Sequence, residues 1–415
     1  MVPKISLAPY ATFQARGNLG FSKGKLPIAQ ELSRLVYPGY LDRGFALLFP
    51  FLRPVVPQPD TWVDRLATCY EHRYFSNFGA LATSLASRMS KAYLQDGYAG
   101  ALCSSNTAGL VAVIQALDLY GKKIVLPDFT FAATVQAAFA AGAKPVICDI
   151  RADTWELCPD SLKAALAEHP DIAAVVHVRP FGLHRDLSPI RDICDDRGLP
   201  LIVDAAAALG APENSMRFGS DSGEIEVFSL HATKTFAIGE GGLIAAPEEM
   251  LPKIKSAMNF GFNSDRTYGE GQNAKLDEFR AAIGHAAMDS MQEVTEGRIR
   301  HAEFYYDLFK SFPFLTLTES PGSTPWSTFP VVFPEPVTSN VLGAFSDQGI
   351  EIKRYYWPGV IKGYTGPREI LSVETPNSFD LQDRCACFPV YSDFEQINVS
   401  LLKERIHMAL GQLFS

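Results

Sequence analysis

The sequence predicts an α/β protein: a mostly parallel sheet sandwiched by helices in a large domain, followed by a small C-terminal α+β domain. Three observations lead there. Between residues 123 and 204, short apolar runs alternate with segments of helical period, the pattern of parallel strands buried on both faces. At 415 residues the chain exceeds one ordinary domain. After residue 327 the alternation stops, and strand-like runs lead into a terminal helix.

Residues 1–60 are rich in Pro and Gly and show little periodicity, so they read as an irregular N-terminal arm. Within it, Gly44 to Leu52 is apolar but short and broken by Pro50. That predicts a segment packed on the rest of the chain, with an exposed partner-binding arm as the alternative. Residues 61–290 form the expected large domain. Apolar residues recur at helical spacing from Leu81 to Leu94, and from Ala108 to Leu117 after Ser104-Ser105-Asn106-Thr107. Strands are then expected at Lys123–Leu126, Pro145–Cys148, Ala173–Val178 and Leu201–Val203, with helices at Thr130–Ala141, Asp160–Glu168 and Leu187–Asp196 between them. Glu224–Ser229 and Gly242–Ala246 read as two more strands, and residues 275–310 as long helices bridging to residues 291–415, the small domain. There, Thr328–Phe333 and Glu351–Tyr355 read as strands, with a final helix from about Glu395 to Leu413.

A net charge of -9, from 37 basic and 46 acidic residues, gives no broad attraction for nucleic acid or an anionic membrane. Any phosphate must therefore be held locally. No run approaches the roughly 20 apolar residues of a membrane span, and the N-terminus lacks a basic start followed by an apolar core. Seven scattered cysteines, an odd number, suit reduced thiols in the cytoplasm. Cys385-Ala386-Cys387 has no second pair nearby, so it reads as buried small side chains and no metal site is expected.

The most informative pair is Lys234 and Asp204. Asp204 closes the apolar run Leu201-Ile202-Val203, where a buried carboxylate is costly unless paired. Lys234 sits in a mostly uncharged stretch between Ser229 and Gly239-Glu240-Gly241-Gly242, where a lowered pKa is plausible and glycines let the backbone approach a ligand. A lysine for a Schiff base and an acid for a pyridine nitrogen are what a pyridoxal phosphate (PLP) enzyme needs most. Ser105-Asn106-Thr107 precedes a helix, whose free N–H groups would hold a phosphate, although the same cluster would serve as a plain N-cap. Phe131, just after a strand, is placed to stack on a flat ring or to fill the core.

These segments resemble the DegT/StrS-type sugar aminotransferases, which are fold type I PLP enzymes. Phe228-Ser229-Leu230-His231-Ala232-Thr233-Lys234, running on to Glu240-Gly241-Gly242, is similar to the family's lysine signature. Arg73 to Gly79, Ser105 to Ala108, Pro127 to Thr134, Pro180-Phe181-Gly182, Asp204-Ala205-Ala206, Asn259-Phe260-Gly261, Gly271 to Leu276 and Gly349 to Tyr355 follow in family order. The resemblance covers roughly residues 60–410.

It implies a mostly parallel seven-stranded sheet and a transaminase working in two halves, with an amino acid, glutamate above all, as donor. The acceptor in such relatives is a nucleotide-linked keto-deoxysugar. Lys234 would bind the cofactor covalently and shuttle protons, Asp204 would hold the pyridinium, and Phe131 would stack on the ring. Asn106, Thr107 and Ser229 would contact the phosphate, and Asn259 would reach it from a neighbouring subunit, giving a homodimer with shared sites. Arg354 and Tyr355 are candidates for the sugar or diphosphate, with an ordinary salt bridge as the alternative for Arg354. Ala207 stands where relatives carry His or Gln, Ala237 where close relatives carry Asn, Arg179-Pro180 where His or Asn is common, and Asn106 where Gly is usual. Two rivals remain: a PLP enzyme acting on another ketone or by elimination, and a non-catalytic regulatory module of the same fold. Lys234 argues against the family's dehydratases, which carry His there.

Overall fold

A computed structural model describes residues 48–210, 217–219, 223–318, 322 and 324–414. The expected arm therefore lies outside the described residues up to residue 47. The strands of the first sheet are β1 (Tyr98–Cys103), β2 (Lys123–Pro127), β3 (Lys144–Cys148), β4 (Ile172–Val178), β5 (Leu201–Asp204), β6 (Ile225–Ser229) and β7 (Gly242–Pro247). Later come β8 (Thr316–Leu317), β9 (Thr328–Val332), β10 (Lys353–Arg354), β11 (Leu371–Ser372) and β12 (Cys385–Pro389). The large sheet has eight strands in the order β1-β7-β6-β5-β4-β2-β3-β11. β2 to β6 run parallel, and β7 is antiparallel to both its neighbours. The seven-stranded sheet is thus present, with the two-residue β11 added parallel to β3 at one edge.

Residue alternation explains why this sheet needs helices on both faces. Val125, Val146, Val175 and Val203 enter one core, with Leu85 and Met89 of the helix Ala80–Tyr93 and Leu162 of Pro159–Glu168. Ile124, Leu126, Ile147 and Ile202 enter the other, with Leu110 of the helix Asn106–Ala116 and Val135 of Ala132–Ala140. A sheet covered on both faces has no wet side, which is why β2 to β5 read as near-continuous apolar runs, while Glu226 interrupts β6.

The second sheet is antiparallel, ordered β10-β12-β9-β8. β12 lies inside it and every residue is buried, so Cys385 and Cys387 are core thiols, and all seven cysteines are free. The expected strand Glu351–Tyr355 is limited to β10, and the last helix runs Val399–Phe414. One 32-residue helix, Glu278–Phe309, joins the layers: Ala281 and Met291 pack under the large sheet, Tyr305 and Phe309 in the aromatic core of the small one. Phe49 and Phe51 are buried in that second core, so this part of the apolar segment packs down.

Candidate active site

β4, β5 and β6 end side by side, and their C-terminal ends carry Arg179, Asp204 and Ser229. Asp204 is 5% exposed. Its Oδ2 accepts from Thr134 Oγ1 at 2.8 Å, and its Oδ1 from Asn106 Nδ2 at 3.3 Å and the Ala206 N–H at 3.3 Å. Burial pushes its carboxyl pKa up, while these hydrogen bonds and the charge of Lys234 pull it back. All three donors are neutral, so this buried carboxylate lacks a hydrogen-bonded cation among the described residues. A protonated pyridine nitrogen fits that position and that charge.

Lys234 lies in the loop between β6 and β7. Backbone bonds from Leu230 to Gly241, Ala232 to Gly239 and Ile238 to Leu230 close the loop. Gly239 turns it with φ +94°, a conformation that L side chains avoid. Thr235 Oγ1 donates to the Pro325 carbonyl at 2.6 Å, tying the loop to the second layer. Lys234 keeps some exposed surface, but it lines the cavity and protein surrounds its other sides. Desolvation therefore lowers its pKa; Asp204 opposes that shift, and the buried Arg298 adds to it. A less basic amine is more often unprotonated and able to attack a carbonyl.

The helix Asn106–Ala116 points its first turn at the same space. Ser105 Oγ caps it by accepting from the Ala108 N–H at 3.1 Å. Asn106 differs from the expectation in one respect: its side-chain amide is engaged by Asp204 and by the Val227 carbonyl at 2.9 Å. What remains at this helix start for an anion is the backbone N–H groups and the Thr107 side chain.

Lys234, Asp204, Asn106, Thr107, Phe131, Ser229 and Tyr355 line one cavity of about 430 Å³. Phe131 is 57% exposed, its ring free to stack on a ligand. Arg354 lines an adjoining groove of about 650 Å³ that shares Thr130, Phe131, Tyr355 and Tyr356 with the cavity. There Arg354 pairs with Asp383 at 3.2 Å and stacks on Trp357 at 4.1 Å. Asn259 lines neither space; its Oδ1 accepts from Lys275 Nζ at 2.7 Å. Among the departures, Ala207 lines the cavity and Ala237 is buried within the lysine loop. Arg179 donates from Nε to the buried Glu226 carboxylate at 3.0 Å.

Three residues of this environment escaped the sequence reading: Thr134, Arg298 and Tyr356. Thr134 lies three positions past Phe131 on the next helix, which is a usable signal. Arg298, hydrogen-bonded to the carbonyls of Trp326 and Val390 at 3.0 and 3.3 Å, has none.

Fold and site together define a PLP-dependent aminotransferase. The family model of the DegT/DnrJ/EryC1/StrS aminotransferases matches residues 60–406, so the chain belongs to that family. It is 28% identical over 367 residues to a dTDP-4-amino-4,6-dideoxy-D-glucose transaminase of Shigella dysenteriae, covering 85% of this chain and 97% of the relative. A UDP-N-acetyl-3-dehydro-alpha-D-glucosamine 3-aminotransferase of Acidithiobacillus ferrooxidans is 32% identical over 229 residues, 54% of this chain and 60% of that one. Among solved structures, DesI in the presence of its TDP-sugar product is 26% identical, with a TM-score of 0.77 over 89% of this chain and 95% of its own.

Proposed function

We propose that this enzyme moves the amino group of L-glutamate to the keto group of a nucleotide-linked keto-deoxysugar. The observation that carries this is the adjacency of two spaces that share one wall: the 430 Å³ cavity with Lys234 and Asp204 lies beside the 650 Å³ groove with Arg354 and Trp357. Both volumes fall in the range of small-molecule sites, about 300–1,000 Å³. A sugar in the cavity would leave its diphosphate and base toward a groove that offers a guanidinium and exposed aromatic faces.

When bound, PLP supplies a carbonyl for the amine and a ring that accepts the electrons of the broken C–H bond. Lys234 would hold the cofactor through its Nζ, and the same amine would move the proton at the substrate carbon. Asp204 would keep the ring nitrogen protonated. Thr134 and Asn106 hold that carboxylate in place, the helix start at Asn106 and Thr107 and the hydroxyl of Ser229 would receive the phosphate, and Phe131 would cover one ring face.

The enzyme works as a homodimer in the cytoplasm. Asn259 lies beside the exposed rings of Phe260, Phe262 and Tyr268, a surface that a second copy would cover while bringing Asn259 to its partner's phosphate site.

Glutamate alone should discharge the visible absorbance of the cofactor-loaded enzyme and release 2-oxoglutarate. The loaded enzyme should then aminate one member of a panel of keto-sugar nucleotides, read by mass spectrometry. Amination of simple ketones with no product from any nucleotide sugar would sink the acceptor assignment and leave the transaminase intact.

A further inference from the structure

Tyr356 takes no part in the site as derived so far, yet its ring forms part of the cavity wall. The ring is clamped by its neighbours. It stacks on Phe181 with centroids 5.2 Å apart and planes at 7°, and meets Phe129 edge-on at 5.1 Å. Its hydroxyl oxygen accepts the Phe181 N–H at 3.4 Å. Its own proton finds no acceptor among the described residues.

The sheet order says which side of a bound ring this hydroxyl would meet. In pyridoxal the phosphate arm and the ring hydroxyl flank the axis that joins the ring nitrogen to the reactive carbon, one on each side. Asp204 ends β5, while Ser229 ends β6 and the helix start at Asn106 follows β1. In the order β1-β7-β6-β5-β4 these phosphate ligands all lie on one side of β5. Phe181 and Tyr356 lie on the other, beyond the end of β4. With the ring nitrogen at Asp204 and the phosphate in its cup, the ring oxygen must face β4.

We propose that the Tyr356 hydroxyl donates a hydrogen bond to the ring oxygen of bound PLP. The other groups on that flank are spent or apolar: Arg179, which also lines the cavity, donates from Nε to Glu226 at 3.0 Å and from Nη1 to the Arg185 carbonyl at 3.1 Å. Thr130 Oγ1 is bonded to Thr134 Oγ1 at 2.7 Å, and Thr134 serves Asp204. Ala207 offers only a methyl group, and its backbone carbonyl packs against Gly182, where a Cβ would come within 2.3 Å of that oxygen. Burial, chiefly, pushes the Tyr356 phenol pKa up, with the Phe181 N–H opposing and Cys387 and Asp204 adding to the rise, so the donor keeps its proton. A donor fixed there stabilises the ionised ring oxygen and so lowers the pH at which the enzyme-bound chromophore titrates.

This assignment rests on the PLP site proposed above, and Tyr356→Phe tests it by keeping the stacked ring and removing only the hydroxyl. Against wild type, the dissociation constant for PLP should rise about 5- to 10-fold, and the pH midpoint of the bound cofactor's visible band should move up by about one unit. The melting temperature without cofactor should fall only slightly, by the loss of the long bond from the Phe181 N–H. An unmoved midpoint overturns the assignment, whether or not affinity falls, because packing alone would change affinity only. A wild-type protein that takes up PLP without a visible band sinks the site itself, and this inference with it.

Discussion

Asp204 is held ready for a cation by groups that are themselves uncharged. Thr134 and Asn106 each donate to the ionised carboxylate, and a hydrogen bond to a charged group contributes about 1.5–3 kcal/mol. They offset part of the desolvation that raises the carboxyl pKa. Thr134→Val keeps the shape and removes the donor, so the pKa rises further. The anion survives only above its pKa, and so on acidification the site loses it earlier. The acid limb of kcat/KM should therefore move up by about one to two pH units, with the alkaline limb unchanged. An acid limb in the wild-type place would mean that Thr134 does not set the charge of Asp204.

At the scale of elements, the site depends on how closely β7 can pass the helix that starts at Asn106. A Cβ on Gly242 would lie 2.7 Å from Cys103 Sγ, 2.9 Å from the Asn106 nitrogen and 2.9 Å from the Ser105 carbonyl carbon. Two of those are backbone atoms of the phosphate cup. Gly242→Ala must push the helix start away, destabilising the fold by about 1–3 kcal/mol and weakening PLP more than it weakens the fold. Equal PLP affinity in the variant, by fluorescence titration, would show that the cup is set elsewhere. The same strands show what a sequence makes legible. β2 to β6 stand out because both faces are buried, as Ile202 and Val203 in opposite cores illustrate. β1 hides behind Ala99, Gly100 and Ala101, and β10 and β11, of two residues each, are too short for any period. Lys234, Asp204 and Phe131 were legible because each follows or closes an apolar strand. Tyr356 was not, since it meets Phe181 across 175 positions of chain.

For the whole molecule, the position of Asn259 decides how many chains make one site. It closes an isolated bridge with Asn273 and is bonded to Lys275, whose Nζ also lies 4.6 Å from the centre of the Phe260 ring. These contacts fix Asn259 on a surface bearing Phe262 and Tyr268, 46% and 75% exposed, away from the cavity of its own chain. If the phosphate site is completed by Asn259 from a second copy, two separately crippled chains should repair one another. Lys234→Ala should be inactive, and Asn259→Ala should bind PLP weakly and turn over slowly. When the two are unfolded together and refolded as a mixture, about half the dimers are mixed, and each mixed dimer keeps one site with both residues intact. The mixture should regain about a quarter of wild-type activity, while the separate proteins stirred together without refolding should not. Activity no greater than the average of the two parents would mean that each chain builds its site alone.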